Sequence, residues 1–488
     1  MSKTINVADA EYNTELIERY VNNPLIASLP PMLDESEVTK YFMRTPNIYR
    51  EGSIHQRVFQ CEDLFDVVIP TENYWPIYQT VYSMMFNSYA NRNPLLQKVA
   101  KFSYDMALHK KEIDKSWERT TGGGSLLLAP SGFGKSTIYK RIFNFLPSVI
   151  NPKPFKNKPL GGKQIVCVFL EIPSDGSRKG LMKLFFEKVD ELAGTNYATD
   201  FGKATIADFE PVFRQICSTL HVGLLIIDDV QNLRKSKGGD DIALLNFMSS
   251  LSNIIGVGII KIGTPDASDL FETDFTPLRR STTAGDHIIE RYKQSDVGWK
   301  TLVCALWNFQ WTAKSTVSSL AEYSSKGIEI KDNELFDLIY KYSQGVPYLL
   351  TFLFISAQKW AIASGYEKLD HKSIEKGHIN SSSLIRLAVQ EIRGNNEAKF
   401  NDLIVKNVTV AKLEAQKAIE DLEKIVISKG FKGKSANELK KLYYELIHKY
   451  TLTDDQKKVA DRLRRTLEND GNVHSGPIVI DGDCEVIG

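Results

Sequence analysis

Between residues 122 and 264, short apolar runs alternate with stretches of helical spacing. The runs are SLLLA (125–129), QIVCVFLEI (164–172), GLLIIDD (223–229) and VGIIKIG (257–263). They are continuous rather than alternating, as strands covered on both faces are. Strands separated by helical patterns predict a parallel sheet with crossover helices, an α/β fold. Residues 1–100 read as mostly helical. Leu16, Ile17, Tyr20 and Val21 share a helical face that Asn22-Asn23-Pro24 ends, and the following LIASLPP (25–31) fits packing on the body and a docking peptide equally. From about Trp299 the pattern is all-helical. Leu335, Leu338, Ile339 and Tyr342 share a face, Gly345-Val346-Pro347 restarts a helix to about Ala363, and Asp370 is placed to cap the next. Beyond Gly394-Asn395-Asn396, apolar residues such as Leu413, Ile419, Leu422 and Val426 recur among charges, predicting a helical hairpin or small bundle. No internal repeat is visible.

The pattern divides the chain into a helical N-terminal region (1–100), an α/β core (101–295), a helical lid (296–392), a charged helical region (393–470) and a flexible acidic tail (471–488). Composition narrows the class. Lys and Arg number 61 against 60 Asp and Glu, a net charge of +1, which excludes a grip on nucleic acid by global positivity but leaves local basic tracks open. The five cysteines, Cys61, Cys167, Cys217, Cys304 and Cys484, have no metal-ligand spacing and suit a reducing compartment. The N-terminus lacks a signal-peptide pattern, and no run approaches the ~18 apolar residues of a membrane span. The expectation is a soluble intracellular protein with no membrane partner.

One loop carries chemistry. Ala129-Pro130-Ser131-Gly132-Phe133-Gly134-Lys135-Ser136-Thr137 lies between a predicted strand and a predicted helix. Converging backbone N–H groups at a helix N-terminus bind a phosphate chain, and small residues let the loop turn. Lys135 would reach the β/γ-phosphates and the Ser136 hydroxyl would ligate Mg²⁺, with Gly132, Phe133, Gly134 and Thr137 completing an ATP cradle. The usual first glycine is Ala129 here. A buried strand ends in Asp228-Asp229, at the edge where parallel sheets bind ligands. Asp228 would hold Mg²⁺ through water and Asp229 would orient or deprotonate the attacking water. Asp229 is one methylene shorter than the glutamate common at this post, so slow turnover is expected. Thr264, at the tip of the next strand, fits a γ-phosphate sensor and a strand-end turn residue equally.

These residues resemble an AAA+ ATPase and, more narrowly, the TnsC family of transposon-encoded target-selection ATPases. The resemblance is carried by LLIIDDVQNL (224–233), NIIGVGIIKIGTP (253–265), FETDFTPLRR (271–280), Trp299 with Leu306-Trp307, and YSQGVPYLLTFLFISAQ (342–358). Outside the ATPase core it is carried by NNPLIASLPP (22–31) and ANRNP (90–94). It implies an ATP- and Mg²⁺-dependent, DNA-associated bacterial protein of the cytoplasm that assembles on double-stranded DNA as a ring or helical homo-oligomer. Such a protein receives a signal from a TnsD/TniQ-type selector and recruits TnsA/TnsB-type transposase subunits. It also implies an arginine acting on the neighbouring subunit's nucleotide, for which Arg279 and Arg280 are the candidates. The lid motif departs from many relatives, with Tyr348 where they place a sensor arginine.

DNA contacts are open between several basic segments. No acid lies between Glu118 and Glu171, a stretch that includes the loop NPKPFKNKPLGGK (151–163). The resemblance places Ser177, Arg178 and Lys179, and then Arg234, Lys235 and Lys237, at the pore, where phosphate contacts would hold DNA without reading sequence. The resemblance assigns residues 393–470 to transposase docking and residues 1–100 to adaptor docking and packing. The competing functions are a signalling NTPase switch that recruits effectors without DNA, and a replication initiator or loader ATPase.

Overall fold

The computed structural model describes residues 6–108, 122–202, 204–236, 240–272, 282–324, 327–394, 478–480 and 484–486. The chain divides into two compact units, Met1–Ser381 and Ser382–Gly488. In the first, a five-stranded sheet is built from β1 (Gly124–Leu128), β2 (Cys167–Glu171), β3 (Leu224–Asp228), β4 (Gly258–Gly263) and β5 (Asp286–Ile288), in the order β2-β3-β4-β1-β5. Every pairing in it is parallel. Four of these strands are the apolar runs. The fifth, Asp-His-Ile on an edge, is too short and polar to stand out. The run 164–172 serves two sheets, since Gln164–Ile165 pairs with Val149–Asn151 and only Cys167–Glu171 enters the main sheet.

Two helices, α1 (Tyr74–Ala90) and α2 (Gln97–Ala107), come from the chain before the sheet. Next come α3 (Lys135–Phe145), α4 (Arg178–Ala193), α5 (Ile206–Thr219) and α6 (Asp240–Ser250). One core gathers Leu126, Val168, Leu225 and Ile259 of the sheet with Phe102, Phe185, Phe213 and Phe247 of the helices. Helix α1 packs on β3 and β4 and buries Tyr78, Val81, Met84 and Tyr89. The sheet is therefore covered on both faces, as its unbroken apolar strands require.

The N-terminal helix expected over Leu16–Val21 is a single turn, Glu18–Val21, and Ile17 is 64% exposed. LIASLPP packs on the body, with Leu25, Ile26, Ala27 and Leu29 buried. Asn23 explains the fit: its amide donates to the Tyr89 carbonyl at 2.7 Å, and Asn93 donates to the Asn22 carbonyl at 2.9 Å. The two motifs NNPLI and ANRNP thus hold each other. Arg92, fully buried, donates to the carbonyls of Val222 and Cys217 at 2.7 and 2.8 Å and so caps the end of α5.

The lid contains α7 (Val297–Trp307), α8 (Asn333–Ser343), α9 (Pro347–Ala363) and α10 (His371–Ile379). It is not all-helical: Ala321–Ser324 and Gly327–Ile330 pair as antiparallel strands. Each is four residues long and partly exposed, too brief for periodicity to separate from a helix. Trp299, Trp307 and Trp311 are fully buried, and Gln358 bridges Trp311 N–H and the Phe309 carbonyl. Asp370 caps α10 in a reciprocal box with Ser373. No single helix among the described residues is long and apolar enough to cross a membrane.

The second unit begins with α11 (Ser383–Arg393), capped by Ser382, and so starts before the boundary expected at 392–393. The charged helices expected between 396 and 470 lie outside the described residues. In the expected tail, Ile478–Ile480 and Cys484–Val486 pair as short antiparallel strands.

Candidate nucleotide site

Strand β1 delivers the chain into a loop that turns through two left-handed glycines, Gly132 at φ +82° and Gly134 at φ +78°, and then into α3. A side chain at Gly132 would also collide, since its Cβ would stand 2.8 Å from Tyr348 Cβ and 3.2 Å from Val346 Cγ1. The close approach is used: the Tyr348 N–H donates to the Gly132 carbonyl at 3.0 Å. The phosphate loop and the first turn of α9 are thereby hydrogen-bonded to each other.

The predicted residues converge. Lys135 Nζ donates to the carbonyls of Ala129 and Pro130 at 2.8 and 3.2 Å. Burial holds its ammonium below the usual lysine range, opposed by the charges of Asp228 and Asp229. Ser136 Oγ donates to Asp228 Oδ2 at 2.5 Å. Burial raises the Asp228 carboxyl, and the Ser136 hydrogen bond opposes the rise. These two oxygens, from the first turn of α3 and the end of β3, are hard donors of the kind Mg²⁺ takes alongside phosphates and water. Among the described residues no cluster of three or more His, Cys, Asp or Glu could hold a metal, so such an ion would depend on the phosphates.

Asp229 follows with left-handed backbone, φ +58°, a conformation Asp tolerates, and opens a 3₁₀ turn over Val230–Lys235. Thr264, 6% exposed, stands at the tip of β4, adjacent to both β1 and β3. Arg279 and Arg280 lie outside the described residues.

Beside the loop is a cavity of about 280 Å³. Gly132, Phe133, Gly134 and Thr137 line it from the loop side, with Tyr292, Leu302, Leu306 and Tyr348 opposite. Its third wall, Leu64–Thr71 with Asn73 and Tyr74, comes from the N-terminal region. Two stacked aromatic pairs frame it, Phe133 with Tyr292 at 5.5 Å and Phe65 with Tyr348 at 6.0 Å. Tyr292 also donates to Thr71 Oγ1 at 2.9 Å. The apolar walls and the phosphate loop together suit a nucleoside with its phosphate chain. Sequence reasoning missed the residues before 75 and Tyr292, because no spacing marks them as neighbours of the loop.

The basic segments are placed less freely than expected. Ser177 caps α4, its hydroxyl accepting from the Gly180 N–H at 3.1 Å. Arg178 Nη1 lies 3.5 Å from Glu210 Oε1, Lys179 Nζ sits 5.9 Å from the Phe209 ring, and Arg234 pairs with Asp269. Lys235 donates to Asn232 Oδ1 at 3.3 Å, and Lys237 lies outside the described residues. The loops after β2 and β3, treated in sequence as alternatives, touch. Gly176, at φ +71°, would place a Cβ 2.7 Å from the Asn232 carbonyl oxygen and 2.8 Å from the Ser236 nitrogen. The 151–163 segment is anchored rather than projecting. It makes a tight turn with Lys156 and Asn157 left-handed, the buried Phe155 meets Tyr12 edge-on at 4.8 Å, and Lys156 donates to Asn22.

The match to a family model agrees with this geometry. Residues 118–271 match the family model described as AAA domain. No curated protein matches the chain in sequence. Among solved structures, it is similar to the Walker-type ATPase PABY2304 of Pyrococcus abyssi, at 13% identity over 70% of this chain and 84% of that one, with a TM-score of 0.35. It is also similar to the Aeropyrum pernix ORC2 protein, at 12% identity over 77% and 87% and a TM-score of 0.34. A third similar structure is domain III of the Thermotoga maritima replication initiation protein DnaA, at 14% identity over 68% and 96% and a TM-score of 0.31. With its parallel sheet, its phosphate loop between β1 and α3 and the matched family model, the chain carries an AAA domain of the AAA+ P-loop fold.

Proposed function

We propose that the protein is an ATP-dependent, DNA-binding AAA+ regulator of DNA transposition of the TnsC type. It oligomerises on target DNA and links a TnsD/TniQ-type selector to TnsA/TnsB-type transposase subunits. The observation that carries the reading is the continuity between the nucleotide site and the basic surface. Asp229 opens the 3₁₀ turn that ends in Arg234 and Lys235, and that turn packs on the loop leading to Arg178 and Lys179. A change of nucleotide state at Asp229 would therefore reach four basic side chains through two loops in contact, Asn232 Nδ2 donating to the Ile172 carbonyl at 3.1 Å.

In the ATP state Lys135 leaves the carbonyls of Ala129 and Pro130 for the β/γ-phosphates. Asp229 orients the attacking water, Thr264 meets the γ-phosphate, and Arg279 or Arg280 serves the neighbouring protomer. Ser136 and Asp228 would hold Mg²⁺, which supplies charge neutralisation on the phosphates. Tyr348 contributes its backbone N–H to the loop and its ring to the base end. Arg178 and Arg234 exchange Glu210 and Asp269 for DNA phosphates when protomers line up along the duplex. Each exchange swaps one charged partner for another, so binding is weak for one protomer and strong for an array.

Sedimentation and electron microscopy with duplex DNA test this. The expected result is assembly on DNA with a non-hydrolysable ATP analogue, none with ADP, and none in Lys135→Ala with either nucleotide. ATP-dependent oligomers that ignore DNA would instead support a signalling switch, and loading that survives Lys135→Ala would place the gate elsewhere.

A further inference from the structure

Gln231 lies on the 3₁₀ turn just after the Asp pair, and both ends of its side-chain amide are engaged. Its Nε2 donates to Asp229 Oδ1 at 2.9 Å, while its Oε1 accepts from the Thr264 N–H at 3.2 Å. The space is made by Gly263, where a Cβ would stand 3.1 Å from Gln231 Oε1 and 2.7 Å from Val230 Cγ2. A carboxylate only accepts and a backbone N–H only donates, so these two partners admit one orientation of the amide. A rigid planar group thus spans the end of β3 and the tip of β4.

We propose that Gln231 is the positioning residue of the hydrolytic site, holding Asp229 in register with the tip of β4. The proposal rests on the ATPase reading above. Asp229 reaches less far than a glutamate, so its aim depends on what fixes its first oxygen. With Oδ1 bound to the amide, Oδ2 carries the interaction with the attacking water. Because the same amide holds the Thr264 backbone, a shift of the strand tip with the γ-phosphate moves the acid as well. Gln231 touches no phosphate in this scheme. It acts through Asp229.

The test compares Gln231→Leu, which removes both bonds, with Gln231→Glu, which keeps an acceptor for Thr264 and removes the donor to Asp229. Single-turnover ATP hydrolysis and binding of a fluorescent ATP analogue are measured on the full chain. Both variants should turn over more slowly by about tenfold or more, with analogue affinity held within about twofold. In an Asp229→Ala background, Gln231→Leu should cause no further slowing, because the acid through which it acts is gone. Equal slowing in both backgrounds, full turnover in Gln231→Glu, or affinity falling in step with turnover would each overturn the proposal. Wild-type chain without Lys135-dependent hydrolysis would overturn the ATPase reading itself, and this inference with it.

Discussion

Lys261 sits in the middle of the central strand β4, 4% exposed, and is paired in register with Leu126 and Ile227. Burial alone pushes its ammonium down to about 8 from the ordinary 10.5. Below the folded value the ammonium is charged in both states, and the native state bears the full desolvation cost. As pH rises from about 8 towards 10.5, the folded protein loses the proton first. The unfolded chain then binds more protons, so stability rises with pH across that window. Lys261→Met should therefore stabilise the protein by about 3 kcal/mol at neutral pH, an advantage that shrinks as pH rises from about 8 towards 10.5 and is gone once both states are deprotonated. Urea midpoints for both proteins at pH 7 and pH 10 check this; a less stable Lys261→Met at pH 7 would mean that the ammonium is compensated in the fold. Lys261 shows what the chain hides at this scale. Lys135, Ser136 and Asp228 are legible as neighbours, because a glycine loop between a strand and a helix and a buried strand ending in acids both point to one edge of a parallel sheet. Lys261 and Gln231 are not, since the role of each comes from neighbours that only the folded sheet supplies.

At the scale of elements, the short helix Ile54–Gln60 binds the lid through Arg57. Its guanidinium grips Glu367 with two bonds of 2.7 Å and also donates to the carbonyls of Trp311 and Gly52. The Arg57 side chain is 8% exposed and that of Glu367 17%, so the pair is largely withdrawn from water. Arg57→Leu leaves Glu367 facing an apolar side chain and should cost about 3 kcal/mol. The Arg57 hydrogen bond holds the Glu367 carboxyl below its ordinary 4.5. A depressed carboxylate contributes stability above the unfolded value, and that contribution is lost as pH falls through the folded value. The gap between wild type and Arg57→Leu should therefore be constant near neutrality and close below about pH 4. Denaturant unfolding across that range measures it, and a gap that stays open in acid would assign the loss to packing alone. The same contact shows why elements were only partly legible. Helices α8, α9 and α10 announce themselves by period and caps, and four sheet strands by unbroken apolar runs. The edge strand β5, the lid hairpin and the division of residues 164–172 between two sheets depend on pairing partners far along the chain. The third wall of the candidate nucleotide cavity is invisible for that reason too, because Leu64–Thr71 meets the site through Tyr292 and Tyr348, both more than 200 residues away in sequence.

Across the whole molecule, the balance of 61 basic against 60 acidic residues hides an arrangement. The loops after β2 and β3 bring Arg178, Lys179, Arg234 and Lys235 to one edge of the sheet, each tied to a partner within the chain. On the proposed reading, a protomer whose cations are already engaged would gain little from one stretch of duplex, because each phosphate contact would replace an existing one. In the proposed array along DNA the balance would change, since every added protomer would contribute its loops at the spacing set by its neighbours. The counterion argument makes this measurable. Each phosphate contact adds about 0.9 to the slope of log affinity against log salt. Changing Arg178 and Lys179 together to Ala should therefore weaken ATP-dependent DNA binding and flatten that slope by about 1.8 per protomer. ATP-analogue affinity should stay at the wild-type level, because neither side chain lines the nucleotide cavity. Fluorescence anisotropy on a duplex long enough for one protomer array, repeated over a range of salt, gives both numbers. A weaker complex with an unchanged slope would show that the pair supports the fold of α4 rather than meeting DNA, and would move the contact to Arg234 and Lys235.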